Sequence, residues 1–360
     1  MDGNNLIKSV QMGYITFITM TGVGVIMLPS QISEGAGHDG WISIILLCLL
    51  VLPSSLMILA LLKRYSDKSV YDISKYIFGK VIGTAINILL LLYLMLTTVA
   101  GAGIFNYFMR ITLLQETPAW ALGPFIMLPS FYLVWQGLKH ISRFLYISVY
   151  GYMAIIVIFI VLLKQFRVSF LLPVADAGWN NIAFNMKNGF FAFLGFELVG
   201  FFYPYITDKN KVLRSQMSAI LIATAFFLFI VIISVGVLGE NFLSVLMLPF
   251  FNISRVYNAP IFERIDLYLT ALWFIPTACS MRSYVFAAFD GLNKVFGLKK
   301  TKPLYIVFFV SILILGSLPN SINQLYEITN IISIAGAAII LFFILCFFLS
   351  FIRKKGICEK

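Results

Sequence analysis

The sequence predicts an all-α integral membrane protein. It forms one transmembrane domain over residues 1–360, with ten spans in two inverted halves of five and with spans one and six broken. Three observations predict this. First, 61% of the 360 residues are hydrophobic and only 11% are charged, and apolar runs of about 20 residues, the length a helix needs to cross a bilayer, recur along the chain. Second, Lys and Arg gather in alternate short loops, which is the signature of a fixed topology. Third, the apolar stretch FFAFLGFELVGFFYP, residues 190–204, carries Gly195, Gly200, Pro204 and Glu197. Glycine and proline weaken a helix interior, and a carboxylate in hydrocarbon costs about 3 kcal/mol on insertion scales. Such a helix breaks where its freed backbone groups line a cavity or meet water. The plainer alternative is a glutamate bonded to a neighbouring helix, with the glycines serving close packing.

The elements follow in order. Span one covers about 12–29, with Gly22 and Gly24 near the middle of TGVGVIMLP. The loop 33–40 holds no Lys or Arg, and span two covers 41–62. The segment KRYSDKSVYDISKYIFGK is basic and predicts a short surface helix. Spans three, four and five cover 81–108, 119–135 and 144–163. A long loop, 164–187, leads to span six at 188–206, and span seven covers 215–238. A second long loop, 239–264, precedes span eight at 267–289. Span nine covers 303–318 and span ten 331–352. The N-terminal MDGNNLIKSVQ lacks a charged leader region and a cleavage site, so the first apolar segment is expected to be retained.

Ten spans place both termini on one side. With the N-terminus in the cytoplasm, most of the basic residues fall inside: Lys8; Lys63, Arg64, Lys68, Lys75 and Lys80; Lys139 and Arg143; Lys209, Lys211 and Arg214; Lys294, Lys299, Lys300 and Lys302; and Arg353, Lys354, Lys355 and Lys360. The net charge of +11 therefore sets topology and does not form a nucleic-acid patch. Arg282 lies within span eight, where it either snorkels to the interface or pairs with Glu197 or Asp290. Cys48, Cys279, Cys346 and Cys358 have no metal or CxxC spacing and read as small packing residues. His38 and His140 sit in loops on opposite sides. No nucleophile elbow, phosphate loop or metal cluster is present, so no enzyme, cofactor or metal is expected.

An odd number of spans in each half inverts the second half relative to the first. The expected repeats are 8–164 and 188–353. Their glycine-interrupted openers, spans one and six, fall in corresponding positions, where discontinuous helices hold ligands. Half-helix N-termini there offer unpaired N–H groups to an anionic group. Tight helix crossing is the neutral alternative.

At these residues a resemblance emerges. Gly22-Val23-Gly24 with Leu28-Pro29, and Phe190-Phe191-Ala192-Phe193-Leu194-Gly195-Phe196-Glu197, resemble spans one and six of the amino acid–polyamine–organocation transporter superfamily. TGVGVIMLPSQISEGAGHDGWIS, KRYSDKSVYDISKYIFGKVIG, RITLLQETPAWAL and GFELVGFFYPYITDKNK are similar to segments of the spore germination B subunits, the permease-like component of nutrient germinant receptors. The similarity covers most of the chain, and the order and spacing of the motifs make it specific.

The resemblance implies a LeuT-like fold with substrate held between unwound spans one and six. It implies that the main chain at Thr21, Gly22, Val23 and Gly24 meets a carboxylate, and that the main chain around Phe193, Leu194 and Gly195 meets the amino end. Phe191 and Phe193 would be lids, and Glu197 would lie just cytoplasmic of the substrate. Tyr93, Thr97, Thr98 and Gly101 of span three would form a wall, and Thr277 and Ser280 of span eight, beyond Pro276, would face span one. For each of these polar residues the structural alternative is a helix–helix hydrogen bond. Span five, FLYISVYGYMAIIVIFIVLL, lacks the interior lysine of some proton-coupled members. The implied role is a subunit that binds a small nutrient, an amino acid, and works in the bilayer of the spore inner membrane with A-type and C-type subunits. The alternative is an autonomous proton-coupled amino acid permease.

Overall fold

The computed structural model describes residues 5–256, 265–298, 302–319 and 321–352. Cys358 and several of the basic loop residues, among them Lys299, Lys300 and Arg353, lie outside them. The described chain is helical, with a single isolated β-bridge between Ile7 and Ile206. Among the described residues, six segments are long and apolar enough to cross a bilayer: Ser9–Ile26, Leu28–Arg64, Lys80–Thr112, Leu138–Gln165, Lys209–Leu238 and Ile322–Ile352.

In chain order the helices are α1 (Ser9–Gly22), α2 (Leu28–Ala36), α3 (Gly40–Arg64), α4 (Val70–Phe78), α5 (Lys80–Thr112), α6 (Ala119–Gln136), α7 (Leu138–Leu162) and α8 (Trp179–Phe184), then α9 (Met186–Phe193), α10 (Val199–Phe202), α11 (Val212–Leu238), α12 (Glu240–Val245), α13 (Pro249–Asn252), α14 (Ile265–Phe296), α15 (Lys302–Gly316) and α16 (Ile322–Ile352). Helix is present at each of the ten expected positions. Both long loops carry short helices, α8 in the first and α12 and α13 in the second. Several boundaries differ from expectation; α16, for one, starts at Ile322 and not at 331. α2 runs on to Ala36 and is followed by a 3-10 turn, Gly37–Asp39, so 33–40 is not an open loop. α7 starts at Leu138, which places His140 in its first turn instead of a loop.

The centre of the bundle is α1 and α14. α1 packs on α11, α14 and α7, while α14 also packs on α5 and α6. Burial in this centre admits small residues where backbones meet, and Gly22 and Gly24 are such places. A Cβ at Gly22 would lie 2.5 Å from the Ser280 Cβ, and one at Gly24 would lie 2.5 Å from the Ala192 Cα.

Each end of the molecule has its own clasp. At one end Ile7 pairs with the segment after α10: its N–H donates to the Tyr205 carbonyl (3.0 Å), and its carbonyl accepts from the Thr207 N–H (3.0 Å). Beside it Asp208 caps α1 from a distant part of the chain, accepting from the Ser9 N–H (2.6 Å) and hydroxyl (2.7 Å). Burial opposes the charged form of Asp208, but the Ser9 hydrogen bonds and nearby Lys211 outweigh it and hold the carboxyl below its ordinary value. At the other end, beyond α2, the His38 ring faces two acceptors, the Glu240 carboxylate at 2.6 Å and the Pro173 carbonyl at 2.6 Å. Adjacent Asp39 accepts from the N–H groups of Ala175 (2.7 Å) and Ala177 (3.0 Å). Burial lowers the His38 pKa, but the Pro173 carbonyl and the charges of Glu240 and Asp39 more than reverse that and raise it.

Candidate functional site

The break between α9 and α10 is made by two residues. Leu194 is extended (φ −65°, ψ 147°) and Gly195 has φ 124°. Only glycine adopts that φ without strain. A Cβ there would also lie 2.9 Å from Thr19 Cγ2 and 3.0 Å from the Met20 nitrogen. The break in span one is milder. Val23 stays in the helical region (φ −91°, ψ −44°) and is followed by a 3-10 turn, Gly24–Ile26.

Glu197 sits one turn past the Gly195 break and is fully buried. Its Oε2 accepts the Gly195 N–H at 2.7 Å, so the side chain satisfies a backbone donor that the break sets free. Its Oε1 accepts the Tyr93 hydroxyl of α5 at 2.8 Å and the Tyr284 hydroxyl of α14 at 2.9 Å. All three partners are donors, and one carboxylate ties α5, α14 and the break after α9 together. In the same turn the Phe196 carbonyl accepts from Gln216 of α11 (2.9 Å), which in turn accepts from the Thr16 hydroxyl (2.8 Å).

The hydroxyls of the bundle centre are also spoken for. Thr21 donates to the Phe17 carbonyl (2.7 Å) and meets the Tyr152 hydroxyl at 2.6 Å. Thr97 and Thr98 bond back to the carbonyls of Tyr93 and Leu94, each at 2.8 Å. Thr277 and Ser280 of α14 reach the broken span itself, donating to the carbonyls of Gly22 (3.3 Å) and Thr19 (3.2 Å). Phe193 turns away onto Phe227 of α11, with ring centroids 5.2 Å apart.

Between the two breaks lies a cavity of about 20 Å³, lined by Thr19, Met20, Val23, Gly24, Thr97, Gly101, Phe191, Leu194, Ser280, Met281 and Tyr284. A volume of that order holds about one water. Of the residues singled out from sequence, Val23, Gly24, Thr97, Gly101, Phe191, Leu194 and Ser280 come together on this wall. Thr21, Gly22, Thr98, Phe193, Gly195, Glu197 and Thr277 stand behind it or face other helices.

A family model described as spore germination protein matches residues 6–325. The chain belongs to the spore germination protein family. Membership makes it a permease-like, B-type germination protein and not an enzyme. It is 26% identical over 352 residues to spore germination protein B2 of Bacillus subtilis, covering 94% of this chain and 93% of that one. It is 25% identical over 346 residues to spore germination protein A2 of the same organism, covering 94% and 93%. Against spore germination protein GerQB of Bacillus cereus the figures are 21% over 301 residues and 83% of each chain. Among solved structures it is similar to MhsT in complex with L-phenylalanine, with a TM-score of 0.61 at 16% identity, covering 92% of this chain and 88% of that one. That likeness shows the LeuT-like fold.

Arg282 of this germination protein follows none of the routes expected from sequence. It is buried, so it does not snorkel. Its Nε donates to the Ser130 hydroxyl at 3.0 Å, and its guanidinium lies 4.4 Å from the centre of the Phe144 ring. Glu197 is satisfied by tyrosines. Asp290 is held by the Tyr205 hydroxyl (2.8 Å) and by Lys294 (2.8 Å). Arg282 thus fastens α14 to α6 and α7, facing away from the cavity. Tyr284, Met281 and Gln216 are site residues that sequence reasoning missed. A signal existed for the first two: Thr277, Ser280, Met281 and Tyr284 fall at i, i+3, i+4 and i+7, one face of a helix.

Proposed function

We propose that this chain is the membrane subunit of a nutrient germinant receptor. In this reading ten spans, arranged as two inverted repeats over 8–164 and 188–353, present a small zwitterionic germinant, an amino acid, to the breaks in spans one and six. Both termini lie in the cytoplasm of the spore, and A-type and C-type subunits complete the receptor. The observation that carries the reading is the meeting of two half-helix ends. The 3-10 turn that starts at Gly24 and leads into α2 lies beside the same cavity as the end of α9, with Gly24 against Ala192. A helix start favours an anion and a helix end a cation. A ligand carrying a carboxylate and an ammonium group matches both at once. The cavity of about 20 Å³ belongs to a closed arrangement, so binding requires Phe191, Met281 and Tyr284 to part. The span of α7 holds no interior lysine, and its Tyr152 is bonded to Thr21, which favours sensing over coupled uptake.

The test fills the cavity. Thr97→Leu puts a larger apolar group where the hydroxyl serves only its own helix. Spores carrying it should lose their germination response to a panel of the common amino acids, with the protein at wild-type abundance by immunoblot. An unchanged dose–response would refute the site. Vesicles holding only this chain should not accumulate labelled amino acids. Accumulation would instead support an autonomous permease.

A further inference from the structure

A second cavity lies away from the central site. It is a groove of about 770 Å³ between α1, α7 and α11. Its walls are Val10 and Phe17 of α1, Met153 of α7 and Ile222 of α11, and its mouth carries Lys211 and Arg214. Both basic residues are exposed, and neither forms an ion pair among the described residues.

The groove has the polarity and length of half a bilayer. From Ser9 at the mouth to Phe17 is eight residues of helix, about 12 Å at 1.5 Å per residue. One leaflet's hydrocarbon is about 15 Å deep. Positive charge therefore stands at the interface level, and an apolar trough runs inward from it, open sideways to lipid at Val10, Met153 and Ile222, which are 51%, 59% and 57% exposed. We infer that the groove is a binding site for one anionic phospholipid, with an acyl chain along the trough and the phosphate against Lys211 and Arg214. Charge complementarity selects the headgroup: basic pockets between spans hold anionic lipids, and each basic residue near the surface contributes about a five-fold preference. Because α1 forms one wall, the lipid bears directly on the half-helix that ends at Gly22. The inference rests on the chain being a membrane protein and does not depend on what the central cavity binds.

The experiment places the purified full chain in nanodiscs of phosphatidylcholine mixed with phosphatidylglycerol, and counts retained lipids by native mass spectrometry after mild delipidation. With both basic residues acting, phosphatidylglycerol should be retained over phosphatidylcholine by roughly 25-fold. Lys211→Gln with Arg214→Gln should bring that ratio close to one, and each single variant should fall between. Ala219→Phe, which fills the trough, should abolish retention of either lipid. Wild type without preference, or a double variant that keeps it, would overturn the proposal. Glycerol phosphate, which has the headgroup chemistry without the chain, should not raise the melting temperature. If it stabilises as well as phosphatidylglycerol does, the site is a phosphate site and the lipid assignment fails. If the groove retains lipid in the isolated chain but releases it when the other receptor subunits are present, a polypeptide is the native occupant and the proposal also fails.

Discussion

Replacing Glu197 with alanine should cost this protein a large part of its stability, while replacing it with glutamine should cost little. The carboxylate accepts from the Tyr93 hydroxyl, the Tyr284 hydroxyl and the Gly195 N–H, and all of these donors are buried. An unsatisfied buried donor costs about 1–3 kcal/mol, so alanine, leaving three, should destabilise by about 3 kcal/mol or more. Against a total stability of roughly 5–15 kcal/mol, that lowers the melting temperature by several degrees and cuts the folded yield. Glutamine has a different geometry. With its carbonyl oxygen on the Gly195 N–H, its amide nitrogen faces the two phenols, whose hydroxyls rotate to accept. The network survives at a cost within about 1 kcal/mol. The assay is a thermal melt of the detergent-purified chain with immunoblots of membrane fractions. Alanine and wild type melting together would refute the network argument. The same pair tests function. If a proton on Glu197 gates the cavity, spores with glutamine keep normal receptor abundance but lose the pH dependence of their nutrient dose–response. Glutamine spores with wild-type pH dependence would confine Glu197 to holding helices together.

Four further outcomes are expected. Gly195→Ala combines a φ of 124° with a Cβ 3.0 Å from the Met20 nitrogen, so it should cost about 1–2 kcal/mol in backbone conformation alone and silence the germinant response. Gly22→Ala should do the same through the Ser280 Cβ, and Ser280→Gly in the same chain should restore part of the loss, where a purely additive pair would refute the contact. For topology, Ser33 is buried at 4%, so the labelling positions are Glu34→Cys and Asp67→Cys, in a background without native cysteines. In intact cells an impermeant thiol reagent should reach the first and not the second, and the reverse would invert the assigned orientation. The His38 clasp sets a pH dependence. Its folded pKa lies above the ordinary 6.5, so its stabilisation is complete below that value and is lost as pH rises through the folded pKa. His38→Gln should flatten the melting temperature against pH across that window, and an unchanged slope would exclude the clasp as its source.

The positions of the helices were legible because lipid enforces a length of apolar sequence, and the sixth-span break because Gly195 takes a φ that other residues avoid; Gly22 and Gly24 mark a milder break and also serve close packing. Which atoms a polar side chain reaches was less legible. Thr277 and Ser280 do face span one, as their place on span eight suggested. Thr98 of α5 and Phe193 of α9 point away from the cavity, because a rotation of a few tens of degrees about the helix axis decides which neighbour a side chain meets. Arg282 shows the same limit. Sequence separation excludes a straight pairing with Asp290, but only the packing of α6 and α7 reveals that Ser130 and Phe144 surround the guanidinium. Gln216 was invisible because its partner is a backbone carbonyl, and no sequence motif marks a carbonyl as needing a donor.

The bridge between Ile7 and Ile206 joins residues some 200 positions apart. With Asp208 on the start of α1 and the Tyr205 hydroxyl on Asp290 of α14, it makes the foot of the first half-helix and the outlet of the sixth span a single mechanical part. A lever riveted at its foot to a second lever cannot tilt alone. Any tilt of α1 drags the segment 206–211 with it, and that segment leads straight into α11. Amide hydrogens at Ile7 and Thr207 should therefore exchange with solvent at a common rate set by one shared opening. A tilt of α1 is thereby delivered as movement of the segment 206–211, which carries Lys209 and Lys211.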